Sequence, residues 1–218
     1  DLIAGMDVGG STSTNSEIMI FKNTNEYGSA NFDNPVTIEL DSSGVDGNIF
    51  DIASYDIDGD GNDDIVAGSQ DNRIVILESP GGADTWTAGN WETGSGSGEY
   101  RSWNVGDDPL AIDIGDLAGS SDKDILVGTD TQSGNDELQA YTHPGSDPFG
   151  TSWGSSIPTL TVGSGVPITD VTIGDFDNDG HNDVAFVKED TDQVDFRSND
   201  GDDTFTDKAD QEFTLETF

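Results

Sequence analysis

The sequence predicts an all-β protein assembled from repeated four-stranded antiparallel units, and three observations carry that expectation. The composition is rich in turn formers, with 28 Gly, and modest in apolar residues at 32%; such a balance favours turn-rich sheets over a helical bundle. The apolar runs are short and lack helical spacing. Finally, an Asp leading into an apolar strand returns four times, as Asp1-Leu-Ile-Ala-Gly5, Asp64-Ile-Val-Ala-Gly68, Asp124-Ile-Leu-Val-Gly128 and Asp183-Val-Ala-Phe-Val187, at intervals of 63, 60 and 59 residues.

In two of these copies the Asp closes a dense acidic loop. Asp56-Ile-Asp-Gly-Asp-Gly-Asn-Asp-Asp64 and Asp175-Phe-Asp-Asn-Asp-Gly-His-Asn-Asp183 both read D-x-D-x-D-G-x-x-D. Four carboxylates in one tight loop repel one another unless a cation neutralises them. A donor set of oxygen alone, without Cys or His side chains, points to Ca²⁺ rather than to zinc or copper. The expected ligands are Asp56, Asp58, Asp60 and Asp64 in one loop and Asp175, Asp177, Asp179 and Asp183 in the other. Asn62 and His181, at position 7, are expected to contribute their backbone carbonyls. Gly61 and Gly180 supply the sharp turn.

The flanks distinguish this loop from a helix-loop-helix calcium site, which needs Glu at position 12, where this chain has Ala67 and Phe186. Short strand-like runs lie on both sides instead: 50–57 and 65–68 around the first loop, 168–173 and 184–187 around the second. The unit is a hairpin whose turn is fastened by an ion. These residues resemble the FG-GAP and VCBS repeat families, the blade units of integrin alpha-subunit-like β-propellers. The resemblance implies that the loop is a structural calcium site.

The rest of each repeat follows in order. A third strand is expected at 17–21, 73–77, 137–141 and 193–196. A polar turn bearing an aromatic comes next, at Phe32, Trp86, Phe149 and Phe205. A fourth strand is expected at 36–40, 100–105, 158–162 and 212–215. A period near 60 with four short strands suits a propeller blade with generous loops. Blades over roughly 1–46, 47–107, 108–165 and 166–218 make one propeller domain, the first blade lacking its innermost strand. The ring is then part of a larger propeller, is completed by another chain, or is completed by residues preceding Asp1. The chain starts at Asp1 without a Met and shows no signal-peptide pattern, so a processed or trimmed product is expected.

The third loop, Asp116-Leu-Ala-Gly-Ser-Ser-Asp-Lys-Asp124, has lost two carboxylates, with Ala118 at position 3 and Ser120 at position 5. Asp116, Ser120 and Asp124 are therefore expected to form at best a weak, degenerate calcium site.

Charge sets the environment. Lys and Arg number 7 against 45 Asp and Glu, a net −38, and the excess is spread along the whole chain. A surface adapted to multi-molar salt, where screening removes self-repulsion, accounts for it and predicts a halophilic source. Nucleic acid is not an expected partner, and no apolar run is long enough for membrane insertion as a helix. Cysteine is absent, so disulfides and thiol chemistry are excluded. Calcium loops of modest affinity suit an extracellular or cell-surface location.

Trp86, Trp91, Tyr100, Trp103 and Trp153 are read as packing between blades rather than as sugar platforms, and the insertion 92–98 as the most individual loop. His143 is expected to face solvent. With two His, no Cys and no G-x-S-x-G, no nucleophilic machinery is visible. The function expected is a non-catalytic, calcium-binding module for an extracellular protein or glycan ligand. A structural lattice or spacer protein and a propeller-fold carbohydrate-active enzyme, such as a polysaccharide lyase, are the alternatives.

Overall fold

Short β-branched and apolar runs separated by Gly, Asn and Asp turns fold as strands throughout. The computed structural model describes residues 1–6, 16–23, 32–40, 47–80, 86, 89–93, 99–131, 135–145, 147–154, 157–189, 193–199, 201, 205–207 and 213–214. Among the described residues there is no helix. The chain divides into two compact units, Asp1–Gly106 and Asp107–Phe218, each built of two copies of the repeat.

In the first unit, β1 (Leu2–Met6), β2 (Ser16–Phe21) and β3 (Val36–Leu40) form an antiparallel meander. The second copy runs β4 (Ile49–Tyr55), β5 (Asp64–Ser69) and β6 (Arg73–Leu77), then β7 (Gly89–Thr93) and β8 (Glu99–Asn104). β4, β5, β6 and β8 are antiparallel neighbours in that order. β7 pairs in parallel with both β3 and β8 and joins the two meanders into one eight-stranded sheet. This strand is not anticipated by the repeat. Trp91, Glu92 and Thr93 belong to it, whereas 94–98 of the expected functional loop lie outside the described residues.

The second unit repeats the plan. β9 (Asp108–Gly115), β10 (Asp124–Asp130), β11 (Asn135–Tyr141) and β12 (Leu160–Ser164) make a four-stranded antiparallel sheet. β13 (Ile168–Gly174), β14 (Asp183–Lys188) and β15 (Gln193–Asn199) continue as a second meander. β16 (Phe205–Asp207) and β17 (Phe213–Thr214) both pair with β15. Phe205 thus stands in a strand where a turn is expected.

Burial is deepest in the second strands of the two middle repeats, whereas β1, at the equivalent place in the first, has no buried residue. β5 and the first six residues of β10 are buried on both faces, which explains their continuous apolar runs. β2, covered on one side, alternates instead. Each unit closes over one core. Ile18, Ile38, Leu40, Ile65, Leu77 and Tyr100 pack in the first, and Leu126, Leu138, Ile168, Val184 and Phe186 in the second. Each such fully buried aliphatic side chain contributes about 1.5–3 kcal/mol. The Gly of the first and third repeats is required by close approach of the first strand of the following repeat. A Cβ on Gly5 would lie 2.5 Å from Ile49, and one on Gly128 would lie 2.5 Å from Ile168. Val187 takes that place in the last repeat.

Candidate metal centre

The two acidic loops fold alike because their own carboxylates organise the backbone. Position 1 caps the turn: Asp56 accepts N–H bonds from Gly59 and Gly61, both at 2.9 Å. Asp175 accepts them from Asp179 and Gly180, both at 3.1 Å. These are the short Asx-type bonds that Asp makes with the residues just ahead of it. The path requires left-handed backbone at positions 4 and 6, met by Gly59 and Gly61 (φ 80° and 92°) and by Asn178 and Gly180 (φ 61° and 96°).

Position 9 clamps the loop to the sheet. Asp64 opens β5, is 1% exposed, and pairs across the hairpin with Tyr55. Its Oδ2 accepts the Ile57 N–H at 2.9 Å and its Oδ1 the Ser79 N–H at 2.7 Å, just beyond β6. Asp183 repeats this with Phe176 and Asn199, both at 2.9 Å.

Ligand atoms of Asp56, Asp58 and Asp64 lie within 4.8 Å of one another, as do those of Asp175, Asp177 and Asp183. Position 5 falls outside both groups. Asp60 accepts the Asn62 N–H at 2.8 Å, and Asp179 accepts the His181 N–H at 2.8 Å. Asn62 and His181 stand at the ends of these turns, and His181 is exposed.

Electrostatics test whether the residues suit a cation. Burial pushes the Asp64 carboxyl up to about 7, with Asp58 and Asp60 adding like-charge repulsion, against the lowering effect of its two backbone hydrogen bonds. A divalent cation reverses each unfavourable contribution at once. Three carboxylates converging without imidazole or thiolate are an oxygen-only donor set of the kind hard cations take. The residues fit a calcium-type ion.

The third loop keeps the shape without this set. Asp116 accepts the Ser121 N–H at 3.0 Å, as Asp56 does from Gly61. Left-handed backbone recurs at Gly119 (φ 67°) and Ser121 (φ 71°). Asp124, fully buried, accepts N–H bonds from Leu117 at 2.7 Å, Ala118 at 2.9 Å and His143 at 3.0 Å; burial holds its carboxyl above the ordinary range. Ser120 is exposed. Among the described residues no group of three metal-type ligands forms here. Even Asp1 shows the clamp, accepting the Asn23 N–H at 2.8 Å just beyond β2. The clamp is the functional role that the motif reading missed. Its signal is an Asp that recurs at this place in every repeat and stays at Asp124 although Ala118 and Ser120 have replaced the carboxylates of positions 3 and 5.

One expectation is corrected. The His143 side chain is only 6% exposed, because the 142–154 loop folds back through the Thr142–Gly154 bridge. It sets the imidazole edge-on to Trp153 at 5.2 Å. Trp153 in turn donates Nε1–H to the Pro148 carbonyl at 2.9 Å. Tyr100 lies in the first core and Trp86 packs against it, so these aromatics are part of the packing.

No protein-family model matches the chain, and no curated protein matches its sequence.

Proposed function

We propose that the chain is a calcium-stabilised, non-catalytic binding module of β-propeller type, built from FG-GAP/VCBS-like blades. It recognises a protein or glycan outside the cell, at the surface of a halophilic organism. The observation that supports it best is the pair of matched three-Asp groups, each at the turn joining the first two strands of its repeat. Bound calcium would neutralise Asp56, Asp58 and Asp64, and Asp175, Asp177 and Asp183, letting both hairpin turns hold their shape with every carboxylate ionised. The chain's own contribution is the preformed turn: positions 1 and 9 hold it and present position 3. The repeated antiparallel meander is the unit from which blades are made, and the excess of acidic residues suits high salt.

Calcium titration by calorimetry in multi-molar salt should give two sites, with the melting temperature falling on chelation. Binding to a glycan panel and to halophile cells should then require calcium. Titration heat indistinguishable from buffer, with no chelator effect on melting, would sink the proposal. A chain that takes up calcium but captures no cell or glycan would instead be a scaffold.

A further inference from the structure

Within each unit the two repeats meet through unlike faces. One repeat turns a forward face to the next, made of paired residues on its second and third strands. These are Ile3 with Ile20 and Gly5 with Ile18 in the first repeat, and Leu126 with Ala140 and Gly128 with Leu138 in the third. The following repeat answers with a rear face. In the second repeat this is Ile65 with Leu77 and Ala67 with Val75, all in the first core. In the last it includes Val184 and Phe186, in the second core.

One face of each kind stays open among the described residues. The first repeat has a rear face, where Leu2 pairs with Phe21 and Ala4 with Met19. Leu2 is 51% exposed where Ile65 is 1% exposed, and Ala4, Met19 and Phe21 are half-buried where Ala67, Val75 and Leu77 are fully buried. The last repeat has a forward face, where Ala185 pairs with Phe196 and Val187 with Val194. Ala185, Val187 and Val194 are half-buried. Phe176 stands edge-on to Phe196 at 5.6 Å and is 48% exposed, although Ile57 and Leu117 at the same loop position are buried. Contiguous apolar residues left in water at two unlike places are the mark of interaction surfaces.

Three features select the occupant. The open faces are the two halves of the contact already made inside each unit, so a second copy of this chain brings the missing half of each. None of these side chains is a conventional hydrogen-bond donor or acceptor, which suits another apolar face and not a glycan. Val187 supplies the third. It stands where Gly5 and Gly128 let Ile49 and Ile168, of the following repeat's first strand, approach within 2.5 Å of an added Cβ. Val187 leaves no such room for a first strand. The first repeat presents none among the described residues, because β1 is the edge strand of its sheet.

We infer that the rear face of the first repeat in one copy packs against the forward face of the last repeat in a second copy. Each copy contributes a different face, so the contact is heterologous and the chain assembles head to tail. Glu17 and Glu39, paired beside the apolar residues of the rear face, and a net charge of −38 per chain oppose the association in dilute buffer. Multi-molar salt removes that opposition, since the Debye length falls to about 3 Å at 1 M.

The test is sedimentation and light scattering of the full chain across a concentration series, in multi-molar salt with calcium present. The parent should give a mass of at least twice the 23.0 kDa of one chain and should dissociate as salt is lowered. Ala4→Arg and Ala185→Arg each place a bulky cation in the middle of one face and leave the other intact. Each alone should weaken self-association at least tenfold, and the two mixed should form one-to-one pairs through their intact faces. Leu2→Gln and Phe176→Gln serve in the same way if an Arg variant fails to fold. A monomeric parent at the highest concentration, assembly undiminished in either variant, or a mixture that stays monomeric overturns the inference. A monomeric parent whose capture of a glycan or of cells is lost in either Arg variant gives the face to that ligand instead and overturns it too.

Discussion

The loop Asp56–Asp64 and the loop Asp116–Asp124 share a backbone but not a set of ligands. In both, position 1 accepts the N–H of position 6, position 9 accepts the N–H of position 2, and left-handed backbone occurs at positions 4 and 6. They differ at position 3, where Asp58 joins Asp56 and Asp64 in a three-carboxylate group and Ala118 joins nothing. Positions 1 and 9 therefore suffice to fold the turn. A carboxylate at position 3 accepts one further turn N–H, Asp58 from Asp60 at 3.0 Å and Asp177 from Asp179 at 3.2 Å, but it adds repulsion to a loop that folds without it, which a bound cation would relieve.

The comparison is broken most directly at position 9. Asp124→Ala strips the acceptor from three N–H groups, those of Leu117, Ala118 and His143. Each orphaned buried donor costs about 1–3 kcal/mol; with partial relaxation the expected loss is about 3–5 kcal/mol, the same with calcium or with chelator. Urea denaturation at fixed high salt measures it. A loss under about 1 kcal/mol would mean that the buried Asp is no clamp.

Position 3 should behave in the opposite way. Asp58 is exposed, so Asp58→Ala should leave the chelated protein within about 0.5 kcal/mol of the parent. In calcium it should lose that loop's share of ligand stabilisation, about 2.7 kcal/mol when calcium stands at a hundred times its dissociation constant. Asp60→Ala should lose less, because Asp60 lies outside the three-carboxylate group. Calcium-dependent melting curves of the two variants decide the order, and the reverse order would assign position 5 to the ion.

Titration sharpens the same contrast. Burial raises Asp64 from an ordinary 3.8 to about 7, so the folded, chelated protein binds this proton more tightly than the unfolded chain. The corresponding stability is fully present below about pH 4 and is lost as pH rises through 7. Calcium, by favouring the ionised form, should flatten that slope. Melting temperatures between pH 4.5 and 7.5, with calcium and with chelator, test it; parallel curves would place the ion away from Asp64.

What was legible in advance follows from how local each signal is. Strands bounded by Asp and Gly turns could be read because period and turn chemistry lie within a few residues, and the register closes on the expected Asp64, Asp124 and Asp183. The acidic groups were legible through their spacing, down to the three Asp of each loop whose ligand atoms converge; that the carboxylates at positions 3 and 5 also hold turn N–H groups was not. β7 was not legible, since its partners β3 and β8 belong to different repeats. His143 was misjudged for the same reason. A His-Pro turn looks solvent-facing until the loop beyond it brings Trp153 back over the ring. The clamp depends on N–H groups at Ser79, His143 and Asn199, 15 to 19 residues from the Asp each one meets.

The smallest effect concerns position 6, where the two intact loops carry Gly61 and Gly180 and the third carries Ser121 at φ 71°. A non-glycine residue in left-handed backbone costs roughly 1–2 kcal/mol, and glycine returns about 0.5–1 kcal/mol of that through its greater freedom when unfolded. Ser121→Gly should thus stabilise the protein by about 0.5–1 kcal/mol. The Ser121 N–H bond to Asp116 is unaffected, since it comes from the backbone. The gain should be independent of calcium, because the degenerate loop has no three-carboxylate group to couple it to. Urea denaturation with calcium and with chelator checks both points. A gain that appears only with calcium would show that the third loop still takes the ion, and the division between a turn that folds by itself and one that also holds a cation would have to be redrawn.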